Sequence, residues 1–161
     1  MREALKKVAS EYWGDGDEAE VLTFELAGET FAFDAVIVQE ILDLLPETAV
    51  PGSRPFVASV INFRGKVIPL ADIRLAFGMD ATATTIESRI VVIELEIEGE
   101  PTLIGVRTDK VHEVTTLDRA SAEPPPSVGM RWRPDFIHCL VRRGSDFIIV
   151  PNMQAIFASR H

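Results

Sequence analysis

Three histidines and one cysteine are the residues of this 161-residue chain best suited to nucleophilic or metal chemistry. Their spacing does not support it. His112, His138 and His161 are scattered, and the single Cys139 cannot supply a zinc site of ordinary spacing. His138-Cys139 has the composition of a base and a nucleophile. Neighbours along a strand point to opposite faces, however, so the two are not expected to hydrogen-bond as a dyad. Cys139 is read instead as a small core hydrophobe. Glu94, Glu96 and Glu98 alternate with Leu95 and Ile97. That is the outward face of a half-buried strand, with an electrostatic docking surface as the second reading. Trp13, Arg131, Trp132 and Arg133 raise nucleobase stacking, but single-strand binders need a longer positive groove. Met130 and Trp132 are expected to fold a proline loop back onto the core. Gly14 and Gly16 lack the spacing and the following helix of a phosphate-binding loop. The chain is therefore expected to be no enzyme and to use no cofactor or metal.

The stretch Val60 to Arg74, VINFRGKVIPLADIR, is more informative. Gly65 supplies the positive φ of a tight hairpin, and Asn62 can bond the turn backbone. Pro69 cannot donate to a ladder, which places its strand at an edge or at a bulge. Asp72 caps a short helix, IRLAF, that Gly78 ends. Those needs are structural. Arg64 is left over, because its five fixed donors suit a carboxylate or a carbonyl of a partner. On chemistry alone a solvated turn residue is the simpler reading and recognition the other.

The elements that must hold these residues are mostly strands. The chain is 47% hydrophobic and 25% charged, as in soluble globular proteins. At this length it buries roughly 70% of its unfolded surface and needs no disulfide. A net charge of −9 argues against sequence-independent nucleic-acid binding and against an anionic membrane surface. No segment has the length of a signal peptide core or a membrane span, and one cysteine fits a reducing cytosol. Residues 1–19 read as an extension and linker: REALKKVASEYW is either an amphipathic helix or a frayed tail, and GDGDEAE an acidic linker. From Val21 hairpins dominate, with turns at Ala27-Gly28-Glu29, Arg64-Gly65, Glu98-Gly99-Glu100 and Gly144. DAVIVQEILDLL is ambiguous between strand and helix, the β-branched residues favouring a strand.

The two halves echo each other. LAGETFAFDAVIVQEI parallels IEGEPTLIGVRTDKVHEV, and INFRGKVIPLADIRLAF parallels VRRGSDFIIVPNMQAIF. Gly28 matches Gly99, Glu40 matches Glu113, Gly65 matches Gly144, and the cap Asp72 matches Asn152. The echo predicts two similar β lobes.

VIVQEI, the Val50-Pro51 step, RPFVASVINFRGKVIPLADIRLAFG and IGVRTDKVHEV together resemble the CheW family of chemotaxis adaptors, from about Val21 to Phe157. The same fold forms the regulatory domain of the histidine kinase CheA. The resemblance implies an all-β domain over residues 20–158, with residues 159–161 as a tail. It implies two small five-stranded β-barrels, of the Src-homology-3 or OB type, around a shared core with short capping helices, the chain crossing between them. It also implies a non-enzymatic cytoplasmic adaptor at receptor arrays on the inner membrane, without inserting into it. Its partners would be the chemoreceptor tip and CheA, the latter held by hydrophobic positions at the barrel ends. Val38, Glu40, Asn62, Arg64 and Gly65 fall at the receptor-contacting groove, while Gly65, Pro69, Asp72, Gly144 and Asn152 serve turns and caps. Ser59, Phe63, His138-Cys139 and Pro151-Asn152 depart from the usual pattern and leave room for an adaptor of a divergent, non-flagellar pathway. The rival class is a ligand- or nucleic-acid-binding barrel module.

Overall fold

The computed structural model describes residues 12–53, 55–80, 82–125 and 133–158. Period-two patterning makes β1 (Glu18–Leu26) and β2 (Glu29–Asp34) a hairpin that is apolar on both faces. Leu22, Phe24, Leu26, Phe31 and Phe33 line one face, while Val21 and Ala32 line the other. The turn is Ala27-Gly28, with φ of 49° and 82°. Two successive positive φ values are those of a type I′ turn, whose twist suits a hairpin. The same pattern recurs at Arg64-Gly65 (51°, 81°) and Glu98-Gly99 (54°, 79°).

After β2 a 3-10 turn, Ala35–Ile37, leads into β3 (Val38–Leu42), so the ambiguous segment is a strand entered through a turn. Next come β4 (Thr48–Ala49), a 3-10 turn at Pro55–Val57, β5 (Ser59–Phe63), β6 (Lys66–Ala71) and helix α1 (Ile73–Ala76). β7 (Arg89–Ile97) and β8 (Glu100–Thr108) pair along their whole length. β9 (Lys110–Asp118), β10 (Ala122–Glu123), β11 (Ile137–Arg143), β12 (Asp146–Pro151) and helix α2 (Met153–Ala158) complete the order.

The strands form two six-stranded sheets, β10-β11-β12-β2-β1-β9 and β4-β5-β6-β8-β7-β3. This corrects the expectation of two five-stranded barrels: neither sheet closes. β9 and β10 remain the edges of the first sheet, β3 and β4 those of the second. Closure needs unbroken pairing around the circumference. The strands that would have to seal it, β4 and β10, are two residues long. Pro46 and Pro51 flank β4, Pro124 and Pro125 follow β10, and prolines offer no N–H to extend either ladder.

Each sheet instead curls over an inner core of its own and shares a third core with the other. Trp13, Val21, Leu117, Cys139, Val141 and Ile148 fill the first sheet. Ile61, Phe63, Ile68, Leu70, Ile90 and Val92 fill the second. Between the sheets lie Phe24, Phe31, Phe33, Phe77, Val91, Ile93, Phe136 and Ile156, among others.

The sequence echo has a spatial form. The two strand orders correspond position by position when β1–β6 are equated with β7–β12, and each sheet takes one hairpin, β1–β2 or β7–β8, from the other half of the chain. The joints correspond too, as short parallel contacts: Ile149 faces Phe31 where β12 meets β2, and Ala71 faces Val106 where β6 meets β8. Asp72 N donates to Phe56 O at 2.7 Å, and Asn152 N to Phe136 O at 2.7 Å. Gly105 sits at the β6–β8 joint, where a Cβ would meet Ile90 Cγ2 at 3.1 Å and Ile61 Cδ1 at 3.2 Å.

β6 is an interior strand, but its ladder to β8 is confined to Leu70 and Ala71. Pro69, paired with Val60 on the β5 side, therefore removes no bond from it. The N-terminal segment, expected as an amphipathic helix or a frayed tail, lies outside the described residues up to residue 11; Tyr12 and Trp13 pack on the first sheet. The expected packing of Met130 and Trp132, Arg131, and residues 159–161 with His161 also lie outside them.

Candidate interaction site

The curl of the second sheet brings its free edge, β3, within reach of the β5–β6 turn. Arg64 Nη2 donates to Glu40 Oε1 at 2.5 Å across 24 positions of sequence. The Arg64 side chain is 71% exposed while Glu40 is half-buried. The guanidinium carbon also lies 5.0 Å from the ring centre of Phe63, itself part of the inner core. Phe63 and Glu40 therefore fix an otherwise solvated arginine from two sides. Asn62 Oδ1 accepts from Gly65 N at 3.0 Å, which ties the turn to the strand before it.

Of the residues expected at a groove, the fold thus gathers Glu40, Asn62, Arg64 and Gly65. Val38 lies one irregularity away on β3, where the register to β7 shifts between Val38 and Glu40. It packs against the core between the sheets. What the cluster offers is an exposed guanidinium with donors to spare beside a carboxylate.

Residues 20–161 match the CheW-like domain. The chain belongs to the CheW-like family. It is similar to "Chemotaxis protein CheW" of Rhizobium meliloti, 24% identical across 87% of this chain and 88% of the relative. It is 33% identical to "Chemotaxis protein CheW" of Thermotoga maritima over 58% of this chain and 59% of that protein. The crystal structure of scaffolding protein TtCheW from Thermoanaerobacter tengcongensis aligns with a TM-score of 0.76 and 30% identity, covering 88% of this chain and 94% of the other.

The protein is a non-catalytic chemotaxis adaptor domain, and the His138-Cys139 step of this CheW-like domain fits that description. Cys139 is fully buried, and burial, with Asp34 nearby, pushes its thiol up to about 12. Burial also lowers His138, against the opposing pull of Asp34. The His138 ring lies 5.1 Å from that of Tyr12, whose hydroxyl donates to Asp34 Oδ1. At neutral pH this leaves a protonated thiol beside a neutral imidazole. The folded domain is expected to resist a disulfide thiol reagent and to be labelled only once denatured. Stoichiometric labelling in native buffer would contradict that protonated, buried thiol.

The CheW-like domain also holds a cluster that the sequence reading missed. Arg74 is buried on α1, its side chain only 1% exposed. Its Nε and Nη2 donate to the two oxygens of Asp72 at 2.8 and 2.6 Å. Nη1 donates to Asp109 Oδ1 at 2.8 Å and to Thr82 Oγ1. Hydrogen bonding to Asp72 raises the Arg74 pKa, against the lowering effect of burial. Asp72 is also the expected helix cap, accepting from Arg74 N at 3.2 Å. The available signal was an Asp-x-Arg step at a helix start, which places both charges on one turn.

Proposed function

We propose that this CheW-like domain couples the cytoplasmic tips of chemoreceptors to the histidine kinase CheA. Receptor contact is assigned to the Glu40–Arg64 pair, with Val38, Asn62 and Gly65 shaping its surroundings. The observation that carries the reading is the exposed guanidinium held at a sheet edge by a carboxylate and an aromatic ring. A guanidinium fixed in this way loses little side-chain freedom when it meets a partner carboxylate or carbonyl. The proposed location is cytoplasmic, at receptor arrays on the inner membrane. Among the described residues no helix is long and apolar enough to cross a membrane.

The test is a three-part reconstitution of this protein, a receptor-tip fragment and CheA. Kinase activity is expected to become receptor-dependent only when the adaptor is present. If kinase output ignores the adaptor while all three proteins are folded, the reading fails.

A further inference from the structure

The Glu40–Arg64 pair has a counterpart on the other sheet. Arg143 Nη2, at the end of β11, donates to Glu113 Oε1 on edge strand β9 at 3.3 Å, and Thr115 Oγ1 lies 3.5 Å away. β9 stands in the first sheet where β3 stands in the second, and β11–β12 stands where β5–β6 does. Both edge strands are irregular beside the acid: β3 between Val38 and Glu40, β9 opposite Leu22 to Phe24. Both hairpins lay an arginine over a phenylalanine, Arg64 over Phe63 at 5.0 Å and Arg142 over Phe147 at 5.5 Å.

The counterpart is not a copy. In the second sheet Leu42 and Leu45, following the acid, pack onto the inner core. In the first sheet a cleft of about 450 Å³ opens beside the pair, lined by Thr23, Lys110, Val111, Glu113, Arg143 and Ile148 among others. Opposite charges therefore ring a small aliphatic floor. An amphipathic helix that carries charged and aliphatic side chains one turn apart matches such a surface. A polyanion does not, because Glu113 stands at the rim.

We propose that this cleft is a second receptor-tip site, which makes the domain bivalent. The inference rests on the receptor reading of Glu40–Arg64 and extends it through the repeated geometry. Arg143 has the same role on the first sheet that Arg64 has on the second. A bivalent adaptor would join two receptor tips without further protein.

The test is the number of soluble receptor-tip fragments bound per full-length chain at saturation, measured by analytical ultracentrifugation. Wild type is expected to bind two. Arg64→Glu and Arg143→Glu should each bind one, and the double variant none. Glu113→Gln, which alters charge with almost no change of shape, should also bind one. A wild type that saturates at one tip, with Arg143→Glu and Glu113→Gln unaffected and Arg64→Glu at zero, overturns the second site and leaves the first standing. No effect of Arg64→Glu overturns both.

Discussion

Arg74→Ala is expected to lower the free energy of unfolding by about 3–5 kcal/mol, the usual cost of removing one partner from a buried ion cluster. It would appear as a lower urea midpoint at unchanged slope. The size follows from what is left behind. Asp72 Oδ2 loses its guanidinium donor, while Asp72 Oδ1 and Asp109 Oδ1 lose their charged donors and keep only the neutral ones, the residue 74 N–H and Thr82 Oγ1. The other oxygen of Asp109 holds Ala27 N at 2.7 Å, and Asp109 N donates to Glu25 O at 2.9 Å. The damage therefore reaches from α1 into the β1–β2 turn, in the other sheet. Arg74→Lys should recover little, since an ammonium cannot bridge two carboxylates with a planar fork. The internal repeat supplies a control. On α2 the matching positions are neutral: Asn152 caps through Ala155 N, and Gln154 reaches Glu96 O at a long 3.4 Å. Gln154→Ala should stay within about 0.5 kcal/mol of wild type. A loss below about 1 kcal/mol for Arg74→Ala would show that the cluster fixes geometry without stabilising the fold.

That cluster also marks where local sequence reading stops. The hairpins were legible because a glycine sits in each turn and period-two patterning runs into it. The echo between halves was legible because equivalent elements need equivalent residues, as Asp72 and Asn152 show. Which strand pairs with which was not. The parallel joints that assign β1–β2 and β7–β8 to opposite sheets are each only two residue pairs long. No periodicity encodes so short a contact. Barrel closure failed for a related reason: it depends on two-residue edge strands bounded by prolines, not on the long strands whose pattern is strong. Arg74 was overlooked because its second acid lies 35 positions away and meets it only when the β8–β9 crossover is in place. The Glu40–Arg64 pair came from resemblance. Hairpin chemistry alone gave the arginine no reason to meet a glutamate on the far edge of the sheet.

At the Glu40–Arg64 site, Arg64→Glu should weaken receptor-tip binding at least about thirtyfold, the roughly 2 kcal/mol that separates an arginine anchor from a bystander. Stability should hardly move. The ion pair is exposed, and exposed pairs contribute about 0–1 kcal/mol. The backbone tolerates the change as well, since Glu98 already occupies the matching turn position at φ 54°, against 51° for Arg64. Reversing both charges separates two roles that one substitution would confuse. Glu40→Arg combined with Arg64→Glu rebuilds an ion pair between β3 and the turn but places each charge where the partner meets its opposite. If the pair only braces the sheet edge, the double variant should recover binding. If Arg64 itself touches the receptor, binding at this site stays lost while the thermal midpoint matches wild type. Recovery in the double variant, or normal binding in the single one, would move receptor contact away from this turn.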